Sequence, residues 1–125
     1  MKIKKVKIGI KTTKEFLDEA RDVMEKAIKG EKVKKTTGIY FENLSDMRRV
    51  LTEKRLEVVK TIKDKHPESI YRLAKMLHRD IKNVIQDLEY LHNLGLIELE
   101  KGKSNGREKT LPIVNYDKIL LEISV

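Results

Sequence analysis

The chain has 125 residues, and its 28 Lys and Arg exceed its 20 Asp and Glu, which gives a formal net charge of +8 at pH 7. This length predicts one folded core, and the lack of cysteine excludes disulfides, cysteine-bound zinc, iron–sulfur clusters and thiol catalysis. No apolar run approaches the roughly 20 residues that span a bilayer, so we expect a cytoplasmic protein without a membrane segment. The basic excess favours a polyanionic partner such as nucleic acid.

The first 36 residues are predicted to form a strand and a helix. Residues 5–10 alternate apolar and polar side chains, as a half-buried strand does. Thr12 and Glu15 have the spacing of a capping box, and an apolar stripe then continues until Gly30. The stripe consists of Phe16, Leu17, Ala20, Val23, Met24, Ala27 and Ile28. The polar residues 31–38 predict a boundary between a strand–helix extension at 1–36, which completes the fold or forms a dimer interface, and a domain at 37–125.

Two helices are predicted after the short apolar segment at residues 38–41. Asn43 is a suitable cap for the first, whose apolar side chains are Leu44, Met47, Val50 and Leu51. Thr52 begins the second, whose apolar positions Leu56, Val59 and Ile62 recur every three residues until Pro67 prevents continuation.

The stretch from Pro67 to Val114 is the most informative part of the sequence. Ser69 is expected to cap a short helix, His78 and Arg79 form a turn, and Asp80 caps a longer helix that ends at Gly95. The inward stripe of the longer helix is predicted to contain Ile81, Val84, Leu88, Leu91 and Leu94. A helix, a tight turn and a longer helix are typical of a helix-turn-helix unit.

The outer face of the longer helix has side chains suited to reading a DNA major groove. Asn83 and Gln86 can pair with adenine edges, and Lys82 can reach guanine acceptors or phosphate. A helix at this place in a helix-turn-helix unit enters the major groove with its N-terminal residues. We therefore predict base contacts from these three residues.

A basic hairpin is predicted after this helix. Residues 96–100 and 109–114 read as strands, and Asn105-Gly106 is a hairpin turn signal. The segment 101–109 contains four cations, Lys101, Lys103, Arg107 and Lys109, against Glu108. Such a wing would lie along the DNA backbone or in the minor groove. Alternation from Ile119 to Val125 predicts a last strand, which we pair with the N-terminal one.

Four short segments resemble those of MarR-like winged helix-turn-helix proteins. They are Tyr40-Phe41-Glu42, Leu51-Thr52-Glu53-Lys54-Arg55, Arg79-Asp80 and the run from Leu91 to Ile97. More closely, they are similar to small prokaryotic DNA-binding proteins described as transcriptional regulators, over about residues 37–117. The resemblance implies an α+β winged helix-turn-helix fold and a homodimer that binds duplex DNA, with residues 80–94 as recognition helix and 101–109 as wing.

We therefore interpret the chain as a sequence-specific double-stranded DNA-binding protein and transcriptional regulator without enzymatic activity, cofactor or metal. The predicted DNA-binding residues are Ser69, Arg72, Arg79, Lys82, Asn83, Gln86, Lys101, Lys103, Arg107 and Lys109. Two alternatives stay open. One is a protein-interaction module, such as an antitoxin-like partner of another protein, that docks through the helix from Phe16 to Ile28. The other is a basic RNA-binding protein, because net positive charge attracts any polyanion.

Overall fold

The computed structural model describes residues 4–32, 38–104 and 106–123. Over these ranges the chain is an α+β domain with five helices and two sheets. The elements in chain order are β1 (Lys5–Ile10), α1 (Thr13–Ile28), β2 (Gly38–Phe41), α2 (Leu44–Val50), α3 (Glu53–Lys65), α4 (Ile70–Leu77), α5 (Ile81–Leu94), β3 (Glu98–Ser104), β4 (Arg107–Ile113) and β5 (Lys118–Glu122). No helix in the described ranges is both long and apolar enough to cross a membrane.

The five helices begin where the sequence supplies a capping side chain. The side-chain oxygen of each cap accepts a hydrogen bond from a backbone N–H two or three residues later, which satisfies one donor of the first turn. The caps are Thr12, Asn43, Thr52, Ser69 and Asp80. The predicted helix starts are therefore confirmed, and so is the end of α5 at Gly95.

The first sheet joins the two ends of the described chain. β1 lies between β2 and β5 and is parallel to both, with Ile8 opposite Ile39 and Leu121. The predicted pairing of the N-terminal and C-terminal strands is thus confirmed, although Val125 lies outside the described residues. The division of the chain after residue 36 stays a prediction, since residues 33–37 also lie outside them.

The core lies between helices α2–α5 and one face of this sheet. It contains Ile8, Phe41, Met47, Val58, Val59, Ile62, Leu73, Ala74, Val84, Leu88, Leu91, Leu96, Ile97, Val114 and Tyr116. The three regularly spaced apolar residues of α3 do not form one buried face, because Leu56 is 40% exposed while Val58 is fully buried. A spacing of three residues drifts around a helix by about 60° per step, so Leu56 cannot share a face with Ile62.

The prediction that Ile81 belongs to the inward stripe of α5 is wrong. Ile81 is 38% exposed, whereas Val84, Leu88 and Leu91 are buried. Ile81 is the first residue of the helix and follows the turn directly, so only one side of it is covered by α4. Leu94, at the other end of the helix, is half-buried.

The second sheet is the antiparallel hairpin of β3 and β4, whose pairing extends from Glu98–Ile113 to Ser104–Arg107. We predicted strands that stop at residue 100 and resume at 109, and these limits are wrong. A two-residue connection matches the strand twist and lets the ladder continue to the tip. Gly106 has a positive φ of 77°, as such a turn requires, and Asn105 lies outside the described residues.

Helix α1 is present as predicted, but none of its side chains is buried. It is tied to its surroundings by polar contacts near its start: Lys11 forms an ion pair with Glu19 at 2.6 Å, and Thr13 donates a hydrogen bond to Glu42 at 3.4 Å. Within the predicted extension, the strand joins the sheet and the helix remains exposed.

The Tyr116 phenol ties the C-terminal segment to the start of the hairpin. Its hydroxyl donates a 2.8 Å hydrogen bond to the Leu96 carbonyl, and burial raises the pKa of Tyr116 to about 12. The unfolded phenol titrates near pH 10, so between pH 10 and 12 the unfolded chain loses this proton while the folded chain retains it. The stability that this group contributes is therefore complete below pH 10 and is lost as pH rises towards 12.

We expect Tyr116→Phe to lower the free energy of unfolding by about 1 kcal/mol at neutral pH, since a buried hydrogen bond is lost. The difference in free energy of unfolding between the wild type and the variant should shrink between pH 10 and 12, because only the wild type has this phenol to titrate. Urea unfolding of both proteins across that range measures the difference and cancels the lysine titrations that they share. Parallel stability curves up to pH 12 would contradict the assignment.

Candidate nucleic-acid interface

Helices α4 and α5 are joined by the three-residue turn His78–Asp80. The backbone N–H groups of His78 and Arg79 donate to the carbonyls of Lys75 and Ala74, at 3.2 and 3.1 Å. His78 has a left-handed φ of 54°, which reverses the chain at the end of α4. The Asp80 carboxylate then accepts the Lys82 N–H at 3.0 Å. Backbone hydrogen bonds thus fix the start of α5 relative to α4.

A carboxylate on the inner side of α5 connects this turn to α3. Asp87 is only 8% exposed, and its Oδ1 lies 3.1 Å from Arg55 Nε, which donates to it. Its Oδ2 lies 2.8 Å from Arg79 Nη1 as an ion pair, although neither of these two atoms has an aligned hydrogen-bond partner within the described part of the chain. We call these three residues the Asp87 cluster.

Arg55 extends the Asp87 cluster to the end of α2. Its Nη1 donates to the carbonyls of Arg49 and Val50 at 3.1 and 2.8 Å, and its guanidinium lies 4.1 Å from the centre of the Tyr90 ring. We did not predict this cluster from the sequence. The pattern that could have indicated it is the position of Asp87 among the apolar residues of α5, because a carboxylate on a buried face needs a partner of opposite charge.

The three predicted base-reading residues lie on the exposed side of α5. Lys82, Asn83 and Gln86 are all exposed and occupy the first two turns of the helix. Lys82 and Gln86 are four residues apart and lie in one row along the helix surface. Asn83 lies in the neighbouring row, one turn before Asp87. Their contacts with DNA stay predictions.

Three shallow depressions form one continuous surface from the hairpin to the turn. The first lies between the hairpin and the start of α4, the second along the outer side of α4, and the third beside the turn; Glu68 lines the first two and Lys75 the last two. The cations along the first two are Lys65, Arg72, Lys75, Lys103 and Lys109, which we call the basic track. The structure thus brings together three of the predicted binding residues from two separate elements.

The four cations of the predicted wing divide between the two faces of the hairpin. The pairing register puts Lys101 and Lys103 on the face of Leu99, and Arg107 and Lys109 on the opposite face. Leu111 packs over Gly102, where an added Cβ would lie 2.6 Å from the leucine Cδ1. Lys103 and Lys109 therefore border the first depression from opposite faces of the hairpin, and a duplex that lies flat against one face would contact only one of the two.

Two other predicted binding residues already have partners within the protein. Ser69 Oγ accepts the Arg72 N–H at 3.1 Å as the cap of α4, and Arg79 belongs to the Asp87 cluster. The Arg72 side chain is exposed. For Ser69 and Arg79 the structure shows intramolecular contacts, and their contacts with DNA stay predictions.

One comparison with known proteins matches the part of the chain that contains this surface. The model of the HVO_A0114 family matches residues 50–121. Among solved structures, the chain is similar to a protein from Methanosarcina mazei Go1 described as a possible transcriptional regulator, with 18% sequence identity and a TM-score of 0.45. That similarity covers 59% of this chain and 66% of the other, slightly less than two thirds of its length. No curated protein gives a significant match.

We expect Asp87→Ala to lower the free energy of unfolding by about 3 kcal/mol, because it leaves two neighbouring arginines without their shared carboxylate. Glu89→Ala, an exposed carboxylate two residues away on the same helix, should change it by less than about 0.5 kcal/mol. Urea unfolding followed by circular dichroism measures both. Equal effects of the two substitutions would refute a structural role for the Asp87 cluster.

Proposed function

The chain belongs to the HVO_A0114 family, and we propose that it is a double-stranded DNA-binding protein that regulates transcription. The observation that carries the proposal is the arrangement of α4, the three-residue turn, α5 and the following hairpin, with polar side chains exposed on the first two turns of α5. This order and these lengths support a winged helix-turn-helix unit with α5 as its recognition helix.

In this proposal the exposed start of α5 enters the major groove, which admits one α-helix. Lys82 and Gln86 lie on the outermost line of the helix and contact base edges, and Asn83 contacts the neighbouring base or phosphate. Ile85 is 39% exposed on the same helix, where a thymine methyl group can pack against it. One good bidentate contact contributes about 1–3 kcal/mol of discrimination.

The basic track and the hairpin contact the phosphate backbone. Cations on α4 and on the hairpin supply salt-dependent affinity that does not depend on sequence. Glu68, between the two groups of cations, repels phosphate locally and thus separates the contacts of α4 from those of the hairpin. The hairpin acts as the wing beside the groove that α5 occupies.

We further propose that the chain is a MarR-like winged-helix protein of prokaryotes, and that it acts in the cytoplasm as a homodimer on a palindromic site. The proposed mechanism is occlusion or recruitment at the bound site, with no catalytic step and no cofactor.

Selection from a random pool of duplex DNA at near-physiological salt tests this proposal. Sequencing of the retained fraction should show an enriched palindromic site, because a two-fold dimer reads two half-sites. Competition with duplex RNA at the same salt distinguishes DNA binding from general polyanion binding. Retention without enrichment would reduce the protein to a basic nucleic-acid binder, and no retention would favour a protein-interaction module.

We expect Gln86→Ala to relax the choice of site more than it lowers non-specific affinity, because Gln86 is proposed to contact a base edge and not phosphate. The ratio of the non-specific to the specific dissociation constant should fall by about tenfold for each contacted base pair. Asn93→Ala removes another exposed amide from the last turn of α5 and should leave the ratio unchanged. An equal ratio in both variants would argue against base reading by Gln86.

We expect Lys103→Ala to weaken binding to all duplexes by a similar factor, because this cation is proposed to contact phosphate. The slope of log K against log salt concentration should become less steep by about 0.9 for each bound subunit, and so by about 1.8 for the proposed dimer. Lys60→Ala, which removes an exposed cation of α3 away from the basic track, serves as the control. The slope is measured by fluorescence anisotropy across a salt series, and an unchanged slope for Lys103→Ala would exclude that phosphate contact.

A further inference from the structure

The apolar stripe of α1 faces solvent along the whole helix. Phe16, Leu17, Met24 and Ile28 are 57%, 58%, 65% and 83% exposed. An amphipathic helix of a globular protein normally buries such a stripe, and a helix of 16 residues gains most of its stability from that packing. The stripe of α1 therefore indicates a partner outside the described fold.

The sheet next to α1 offers it little apolar surface. In a strand–helix–strand unit of two parallel strands, the helix usually covers one face of the sheet. Here one face of β1 is occupied by the core, where Ile8 is fully buried. The other face carries an ion pair between Lys7 and Glu122, and Lys11 lies 3.9 Å from the centre of the Tyr40 ring beside it. The register also puts Leu120 on this face, where it is 45% exposed, so α1 does not cover this face either.

Charged residues flank the stripe in a self-complementary pattern. Glu19 and Lys26 lie along one flank, and Arg21 and Glu25 lie along the other. Lys14 also lies on the second flank, and Glu19 and Lys26 already pair with Lys11 and Asp22 of their own chain. The four central charges are nevertheless in opposite order on the two flanks, acid before base on one and base before acid on the other. When a second copy of the same helix packs against the stripe, each of these charges can lie opposite an unlike charge.

We propose that α1 is the surface through which two copies of this chain associate, stripe against stripe. In a parallel pair, Glu19 of one copy faces Arg21 of the other, and Glu25 faces Lys26. In an antiparallel pair, Glu19 faces Lys26 and Arg21 faces Glu25. Both two-fold arrangements bring unlike charges together beside an apolar contact about 24 Å long. The inference rests on the proposed dimer and is independent of DNA binding.

Sedimentation equilibrium of the full chain without DNA tests the proposal. The wild type should be a dimer, and Met24→Lys should raise its dissociation constant by roughly 100-fold or more, because two cations would lose water in the contact. Asp18→Lys, which adds a cation on the opposite face of α1, should leave the dimer intact. Since α1 buries no side chain in its own fold, circular dichroism should show both variants folded.

Charge exchange at the flanks tests the pairing itself. Arg21→Glu should weaken the dimer in both orientations, because it places like charges opposite each other. Adding Glu25→Arg restores unlike pairs in the antiparallel arrangement alone, and adding Glu19→Arg restores the pair with residue 21 in the parallel arrangement alone. Rescue by one of the two double variants supports the proposal and gives the orientation, whereas rescue by neither refutes the charge pairing.

The outcomes separate this inference from the proposed function. A monomeric wild type at all concentrations would overturn both the interface and the dimer, while retention of duplex DNA would still support DNA binding. A dimer that Met24→Lys leaves unchanged would overturn the α1 interface and leave the dimer to another surface. A wild type that forms the dimer but does not retain duplex DNA would overturn the proposed function only.

Discussion

The position of α5 depends on the carboxylate of Asp87. This side chain lies within the apolar stripe of the helix and is neutralised by one arginine from α3 and one from the turn. Burial of a charge is unfavourable unless it is paired, so the three side chains constrain one another. Arg55 additionally binds two carbonyls at the end of α2, so one guanidinium positions three helices. The exposed face of α5 owes its orientation to a contact on its inner side.

This arrangement divides the arginines of the region into two groups. Arg55 and Arg79 both pair with Asp87, whose single negative charge offsets one of their two positive charges. The cations that remain for a polyanion are therefore those of the basic track and of the hairpin, together with Lys82. The electrostatic surface follows from this division more than from the net charge of the chain, because a paired cation attracts phosphate weakly.

The sequence predicts local features of the fold well and distant contacts poorly. The five helix caps, the end of α5 at Gly95 and the strands β1 and β5 are encoded within a few residues each, and they were predicted correctly. Ile81 was misassigned because burial near a helix end depends on which neighbour covers it, and Leu56 is exposed because a three-residue spacing does not follow one face of a helix. The Asp87 cluster joins residues 32 and 8 positions apart, and such pairs leave no local pattern. The register of the hairpin decides which face each wing cation occupies. The predicted strands were too short to include most of these cations, so their faces could not be predicted.

Helix α1 shows that an amphipathic pattern predicts a helix but does not identify its partner. The stripe has the same periodicity as that of α5, yet α5 is buried and α1 is exposed. The difference lies in what surrounds each helix: α5 packs against α3 and α4, whereas the sheet face not used by the core presents an ion pair and an aromatic ring with a cation over it. The packing that fixes the orientation of α5 leaves the stripe of α1 uncovered. Since a helix gains most of its stability from burying such a stripe, α1 is the element that would gain most from association with the second copy that we propose.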